Sequence, residues 1–312
     1  MTRATAYALM VEVIINHRSG ASDNAAVAER VTALLRARGR RCRVTLVRTG
    51  EELSAAVAQA AAGDAELVVA GGGDGTVAAV ATALLDTQKI LGVLPLGTFN
   101  YFARSINVPL DIDGAIEVLV SGTIGRASVG EVNGRVFLNN SSIGLYPAVL
   151  RQRESAYRKL GRSRVASYLS AGLVLIQRPP FLRLELMVDG VALARRTPLL
   201  FVGANPHQMA SFAIPGDDCL QSGRFAIYIA RTLSVARLWG LALRAFFRGL
   251  NDADDLEVVC ARELSVSLRR RRVAVAMDGE IATMQAPLRY RLRVDSLRVL
   301  SGPEPPAAAA AS

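Results

Sequence analysis

The chain has 312 residues and a mass of 33.2 kDa; 51% of it is hydrophobic, its mean hydropathy is +0.28 and its net charge is +10. This excludes an intrinsically disordered protein and suits two domains better than one core. No run of about 20 residues is apolar without charge, because Arg231, Arg237, Arg244 and Arg248 break up the longest candidate, so no membrane-spanning helix is expected. Glu12 interrupts the first apolar stretch and no small-residue cleavage site follows, which favours a cytoplasmic protein over a secreted one. Lys89 and Lys159 are the only lysines. The excess of arginine implies an anionic partner: nucleic acid, an acidic membrane surface or the phosphates of a substrate. Cys42, Cys219 and Cys260, with His17 and His207, make no zinc set and are expected as buried, reduced thiols.

In chain order, Leu9 to Asn16 reads as a buried strand and Asn24 to Arg38 as a helix with Val27, Val31, Leu34 and Leu35 on one face. A strand at Val44 to Val47 follows. Thr49, with Glu52 three positions on, then caps a helix whose apolar side is Leu53, Val57 and the alanines through Ala62. The β-branched run Leu67-Val68-Val69-Ala70 leads into Gly71-Gly72-Gly73-Asp74-Gly75-Thr76, then a helical pattern from Val77 to Leu85 and a strand at Ile90 to Leu94. Such alternation calls for parallel strands, right-handed crossovers and a doubly wound α/β domain. In such sheets ligands bind at the carboxyl ends of the strands, where Asn16 to Gly20, Gly71 to Thr76 and Pro95 to Asn100 emerge.

The glycine stretch fits neither the Walker A spacing nor the dinucleotide fingerprint. As a loop between a strand and a helix N-terminus it would offer backbone N–H groups with little side-chain bulk, which suits phosphate. Asp74 within it can hold Mg2+ or serve the turn.

From about Arg126 the rhythm changes to alternating runs around Asn133-Gly134, Asp189-Gly190 and Asp278-Gly279, which are hairpin signals. Further strands are expected at Leu199 to Val202, Phe225 to Ile229, Leu256 to Val259, Leu264 to Leu268 and Leu292 to Val299, with helices at Ala156 to Gln177 and Ser234 to Gly249. The expected division is an α/β nucleotide-binding domain over 1–125, a β-rich domain of sandwich type over 126–300 and a disordered tail over 301–312.

Four segments together resemble the diacylglycerol kinase catalytic family, which includes bacterial soluble lipid kinases and sphingosine kinases. Asn16-His17-Arg18-Ser19-Gly20 is similar to its opening segment, with His17 in place of proline. Gly72-Gly73-Asp74-Gly75-Thr76 matches its nucleotide motif, Pro95-Leu96-Gly97-Thr98-Phe99-Asn100-Tyr101-Phe102-Ala103-Arg104 its segment after the fourth strand, and Met277-Asp278-Gly279-Glu280 its closing motif. The glycine motif alone is shared with NAD kinases and phosphofructokinases; the segment from Pro95 is more specific.

The resemblance implies an ATP-dependent kinase of a lipid hydroxyl, with its active site in the cleft between the two domains. It places Asn16, Ser19, Gly20, Thr49, Gly71, Gly72, Gly73, Asp74, Gly75, Thr76, Val77, Thr98 and Asn100 at the nucleotide, and makes Glu280 the proton acceptor with Asp74 as its rival. Asp74 and Asp278 would share Mg2+ through water. The partners implied are ATP, a lipid alcohol and, peripherally, an anionic membrane; nucleic acid is not expected, and a homodimer is left open. Tyr101 stands where many members carry aspartate, and Ser222-Gly223 where an Asp-Gly helps to hold a structural Mg2+ in bacterial members, so that second metal is not expected. The alternatives are a kinase of a soluble metabolite resembling NAD kinase and a non-catalytic nucleotide- or nucleic-acid-binding module. Apolar stretches at Tyr168 to Ile176 or Leu238 to Phe247 are candidates for a lipid-pocket wall, and the arginines at 151, 153, 158, 162 and 164 for its entrance.

Overall fold

The computed structural model describes residues 10–17, 19, 24–160, 181–211, 214–231 and 256–303, with backbone alone for 153–160. By internal packing the chain divides into one unit of residues 1–129 with 294–312 and a second of residues 130–293.

In the first unit, β2 (Arg41–Val47), β1 (Met10–Asn16), β3 (Leu67–Gly72) and β4 (Ile90–Pro95) lie side by side in that order, all parallel. Beyond β4, Leu91 pairs in parallel with Val299 of β16 (Leu288–Ser301). Every residue of β3 and β4 is buried, as expected of parallel strands covered on both faces. Helices α1 (Asn24–Ala37), α2 (Gly50–Ala62) and α3 (Asp74–Leu84) make the crossovers. α1 buries Val27, Ala28, Val31 and Leu35, one face at three- and four-residue spacing. The expected cap of α2 is present: Thr49 Oγ1 accepts from the Glu52 N–H at 3.1 Å, and Glu52 Oε2 accepts from the Arg48 N–H at 2.7 Å.

Two short helices after β4 have no counterpart in the sequence reading, α4 (Tyr101–Ser105) and α5 (Ile112–Ser121). α5 starts at an Asp111 cap, Oδ1 accepting from the Gly114 N–H at 2.7 Å, and buries Ala115, Ile116 and Leu119. The glycine stretch is shorter as a loop than expected. Gly71 and Gly72 still pair with Leu94 and Pro95 in the sheet, and the helix already begins at Asp74, whose carboxylate suits the first turn.

The second unit is built from two antiparallel sheets. One joins the first half of β16 to β13 (Glu263–Leu268), β8 (Leu182–Val188) and β9 (Val191–Thr197), with β5 (Thr123–Val132) and β6 (Arg135–Phe137) paired beside them. The other runs β12 (Leu256–Ala261), β11 (Phe225–Ala230), β10 (Leu199–Gly203), β7 (Asn140–Gly144), β14 (Arg272–Met277) and β15 (Glu280–Gln285). One core takes side chains from both, among them Phe137, Ile143, Leu184, Val202, Phe225 and Val275, which makes the unit the expected sandwich type. All three expected hairpin turns form with φ positive at both central residues: 47° and 79° at Asn133-Gly134, 44° and 87° at Asp189-Gly190, and 47° and 88° at Asp278-Gly279.

Two expectations are corrected. The helix placed at Ala156 begins at Leu145 instead (α6, Leu145–Leu160), with Pro147 in its first turn, where a missing N–H costs nothing. The thiols at Cys219 and Cys260 are not reduced but joined in a disulfide, Cα atoms 5.2 Å apart, linking α7 (Asp217–Gln221) to β12; Cys42 is free. Widely spaced cysteines carry no signal of such a contact, because only the fold brings them together. Gly20, the proposed helix at Ser234, the pocket-wall stretches from Tyr168 and Leu238, the side chains at 153, 158, 162 and 164, and the tail beyond 303 lie outside the described residues. Among the described residues no helix is long and apolar enough to cross a membrane.

Candidate active site

In the first unit, the carboxyl ends of β1, β3 and β4 bring three of the singled-out segments together. Asn16 closes β1, and its Nδ2 donates to Oγ1 of the buried Thr76 at 3.1 Å. Ser19 Oγ accepts from the Gly73 N–H at 3.3 Å. Gly73 is the N-cap of α3, and its carbonyl accepts from the N–H groups of Thr76 and Val77 at 2.9 and 3.1 Å. The N–H groups ahead of these in the first turn have no acceptor within a helix, which leaves that end fit for an anion.

Gly73 also meets the third segment. A Cβ built on Gly97 would fall 2.4 Å from Gly73 Cα and 2.8 Å from Asn100 Oδ1, so two backbones pass where no side chain fits. Asn100 ties this loop. Held at φ 52° and buried, it accepts from the Gly97 N–H at 3.0 Å and donates from Nδ2 to the carbonyls of Gly97 and Pro95 at 2.9 and 3.3 Å. Its amide is therefore spent on the loop, while Thr98 beside it is exposed. Asp74 Oδ1 accepts from the Phe102 N–H at 3.1 Å, joining the start of α3 to α4. Phe99, 61% exposed, stacks on Tyr101 with ring centroids 5.5 Å apart. Thr49 sits exposed beyond β2, its hydroxyl engaged in the α2 cap.

One residue of this half went unread in the sequence. Asn24, buried at the start of α1, donates from Nδ2 to the carbonyls of Asn16, His17 and Ser19 at 2.8, 3.2 and 2.8 Å, and so folds the segment after β1. An asparagine opening a helix just after a loop is the available signal, though it reads first as a cap.

Asp278 and Glu280, the other two carboxylates singled out in the sequence, belong to the second unit. Asp278 Oδ2 accepts from the Leu138 N–H at 2.7 Å, and Oδ1 from the Asn139 and Asn140 N–H groups at 2.8 and 3.1 Å. Both oxygens are thus bound to backbone, and the Asp278 N–H returns a bond to the Asn140 carbonyl at 3.0 Å. Beneath the turn lies a buried amide cluster that the sequence did not reveal. Asn140 Nδ2 donates to Gln208 Oε1 at 2.7 Å, and Asn205 Nδ2 to Asn139 Oδ1 at 2.7 Å. Glu280, first residue of β15 and opposite Met277, is exposed. Among the described residues no three or more His, Cys, Asp or Glu side chains gather as a metal site.

A parallel α/β unit thus precedes an antiparallel β unit, and in parallel sheets of this kind ligands bind at the carboxyl ends of the strands. Residues 10–132 match the model of the diacylglycerol kinase catalytic domain. The chain is 28% identical over 176 residues to proteins named diacylglycerol kinase from Staphylococcus aureus strains JH9 and Newman. That match covers 55% of the chain and 55% of each relative, so the chain matches only about half the length of these relatives. In fold, 94% of the chain superposes on 97% of the crystal structure of a diacylglycerol kinase from Bacillus anthracis, with a TM-score of 0.70 at 18% identity. Another structure from that organism gives 0.75 at 21% over the same shares.

Proposed function

We propose that the chain transfers the γ-phosphoryl group of ATP to the hydroxyl of a lipid such as diacylglycerol or a sphingoid base, working in peripheral contact with an anionic bilayer. The observation that carries this is the close passage of Gly73 and Gly97, where no side chain stands over the first turn of α3 and the positive end of that helix can be approached by a phosphate. ATP with Mg2+ would supply the activated phosphoryl group and part of the charge neutralisation. The chain's own part is binding, orientation and one proton. Gly72 to Gly75 would receive the phosphates, with Asn16, Ser19 and Asn24 holding the loop in place.

Mg2+ commonly takes one or two carboxylates, with substrate phosphates and water completing its shell, so the sparse donor set fits a metal that arrives with the nucleotide. Asp74 is the carboxylate we assign to it. Asp278 fits that task less well, since three backbone N–H groups already occupy its oxygens. Its role in this reading is to hold the turn that presents Glu280. As the lipid hydroxyl bonds to phosphorus and ADP leaves, Glu280 accepts the hydroxyl proton, an effect worth about 10² to 10⁴ in rate.

The test is transfer of labelled phosphate from ATP to a panel of lipid alcohols in mixed micelles, with soluble sugars and nucleosides as a second panel. Labelled phospholipid is expected. Label appearing only in the soluble panel would replace this reading with that of a metabolite kinase.

A further inference from the structure

The outward face of β8, β9 and the end of β13 carries an arginine row. Arg183 stands opposite Arg196 in the β8–β9 register, and Leu268 opposite Leu184 in the β13–β8 register, so Arg269, next in the chain, continues the row beside Arg183. Arg270, Arg271 and Arg272 follow at once, and all six are exposed. Arg183, Arg195, Arg196 and Arg269 line a groove of about 600 Å³ in which Glu185 is the only carboxylate. Arg195 is spent on Glu257, at 2.7 and 2.8 Å. Among the described residues no carboxylate pairs with the other arginines of the row or of the turn that follows; Arg196 lies over the Phe181 ring, 5.7 Å from its centroid.

Like charges directly opposite on neighbouring strands destabilise a sheet. Keeping them together without counter-charges makes sense when an external anion completes the surface. We infer that this corner of the second unit docks on the anionic headgroups of a phospholipid bilayer, an inference that rests on the reading of the acceptor as a lipid. Guanidinium forks suit headgroup phosphate. Met187 on the same outward face and Val191 at the β8–β9 turn are 45% and 61% exposed, apolar side chains suited to the headgroup boundary. Among the described residues the second unit has no fully exposed aromatic ring for a nucleic-acid base to stack on, and the half-buried ring of Phe181 lies under Arg196.

The test is sedimentation of the full chain with vesicles of phosphatidylcholine alone and of an equimolar mixture with phosphatidylglycerol. The triple variant Arg183→Gln, Arg196→Gln, Arg269→Gln should bind the anionic vesicles about a hundred-fold more weakly, at roughly fivefold per arginine. A second triple, Arg36→Gln, Arg41→Gln, Arg135→Gln, removes the same net charge from other exposed positions and should bind nearly as wild type. Circular dichroism checks that both fold. Unchanged binding by the first triple, or equal loss in both, overturns the assignment. So does tighter, arginine-row-dependent binding of a single-stranded oligonucleotide. Vesicle binding involves no phosphoryl transfer, so an inactive wild type would count against the kinase reading and leave this result to be judged separately. A short-chain diacylglycerol dispersed as monomer should be phosphorylated equally by wild type and first triple.

Discussion

Three residues decide how the proposed site works, and each can be tested by a single substitution. Gly97→Ala puts a methyl group 2.4 Å from Gly73 Cα, backbone against backbone, and no flexible side chain can give way. The loop after β4 must then move off the start of α3. Nucleotide affinity should fall at least tenfold while circular dichroism stays near wild type, since the sheet core lies elsewhere. Wild-type affinity in this variant would exclude the crossing as the phosphate site. Asp278→Asn keeps a residue that tolerates positive φ, yet it sets an NH2 group against backbone N–H donors. It should cost about 1 to 3 kcal/mol in denaturant unfolding and lower kcat by displacing Glu280, with the dependence on Mg2+ unchanged. A selective rise in the Mg2+ requirement with no loss of stability would return Asp278 to the metal. Glu280→Gln should lower kcat by about 10² to 10⁴ with ATP affinity retained. Near-normal turnover there, beside an inactive Asp74→Asn that still binds ATP, would transfer the base to Asp74.

At the scale of elements, what the sequence made legible was what local chemistry determines. The hairpins follow from Asn-Gly and Asp-Gly because those pairs accept positive φ at both turn positions. The parallel strands follow from unbroken apolar runs, and the Thr49 cap from a four-residue pattern. What dipeptides do not encode is where the turn side chain goes. Asn133 reaches Arg289, Asp189 reaches Arg262 and Glu263, and Asp278 reaches Leu138 to Asn140, all distant in sequence. The candidate residue Asp278 therefore looks the same in sequence as the turn residues Asn133 and Asp189. The short α4 escaped notice because five residues give no period, whereas α5 had a readable cap at Asp111. A pH effect belongs at this scale. Arg195 on β9 donates twice to Glu257 on β12, and those bonds hold the Glu257 carboxyl below its ordinary value of 4.5 against the opposing effect of burial. A depressed acid stabilises the fold above its unfolded pKa and loses that contribution as pH falls through the folded value. Glu257→Gln should thus cost about 1 kcal/mol at pH 7, allowing for solvent around the one-third exposed Arg195. The difference from wild type should vanish in urea unfolding carried out well below pH 4.5.

For the whole molecule, the disulfide belongs to one unit and the proposed nucleotide site to the other. Cys219 and Cys260 are 41 residues apart in sequence and both belong to the second unit, where Cys219 is buried with Met209, Tyr228 and Leu256. Closing a loop of that length removes unfolded-chain entropy worth about 2 to 4 kcal/mol. The glycine cradle belongs to the first unit, which has its own core around β1, β3 and β4. Replacing both cysteines, Cys219→Ala with Cys260→Ala, should therefore lower the denaturant midpoint of the second unit by an amount equivalent to about 2 to 4 kcal/mol, while ATP affinity stays at the wild-type value. Dithiothreitol should shift the wild type by a similar amount and leave the double variant where it was. A wild type indifferent to the reductant would mean that the two thiols are not joined in solution. An equal loss of ATP affinity on reduction would mean that the phosphate cradle depends on the second unit's stability, and the nucleotide site would then need the whole chain to form.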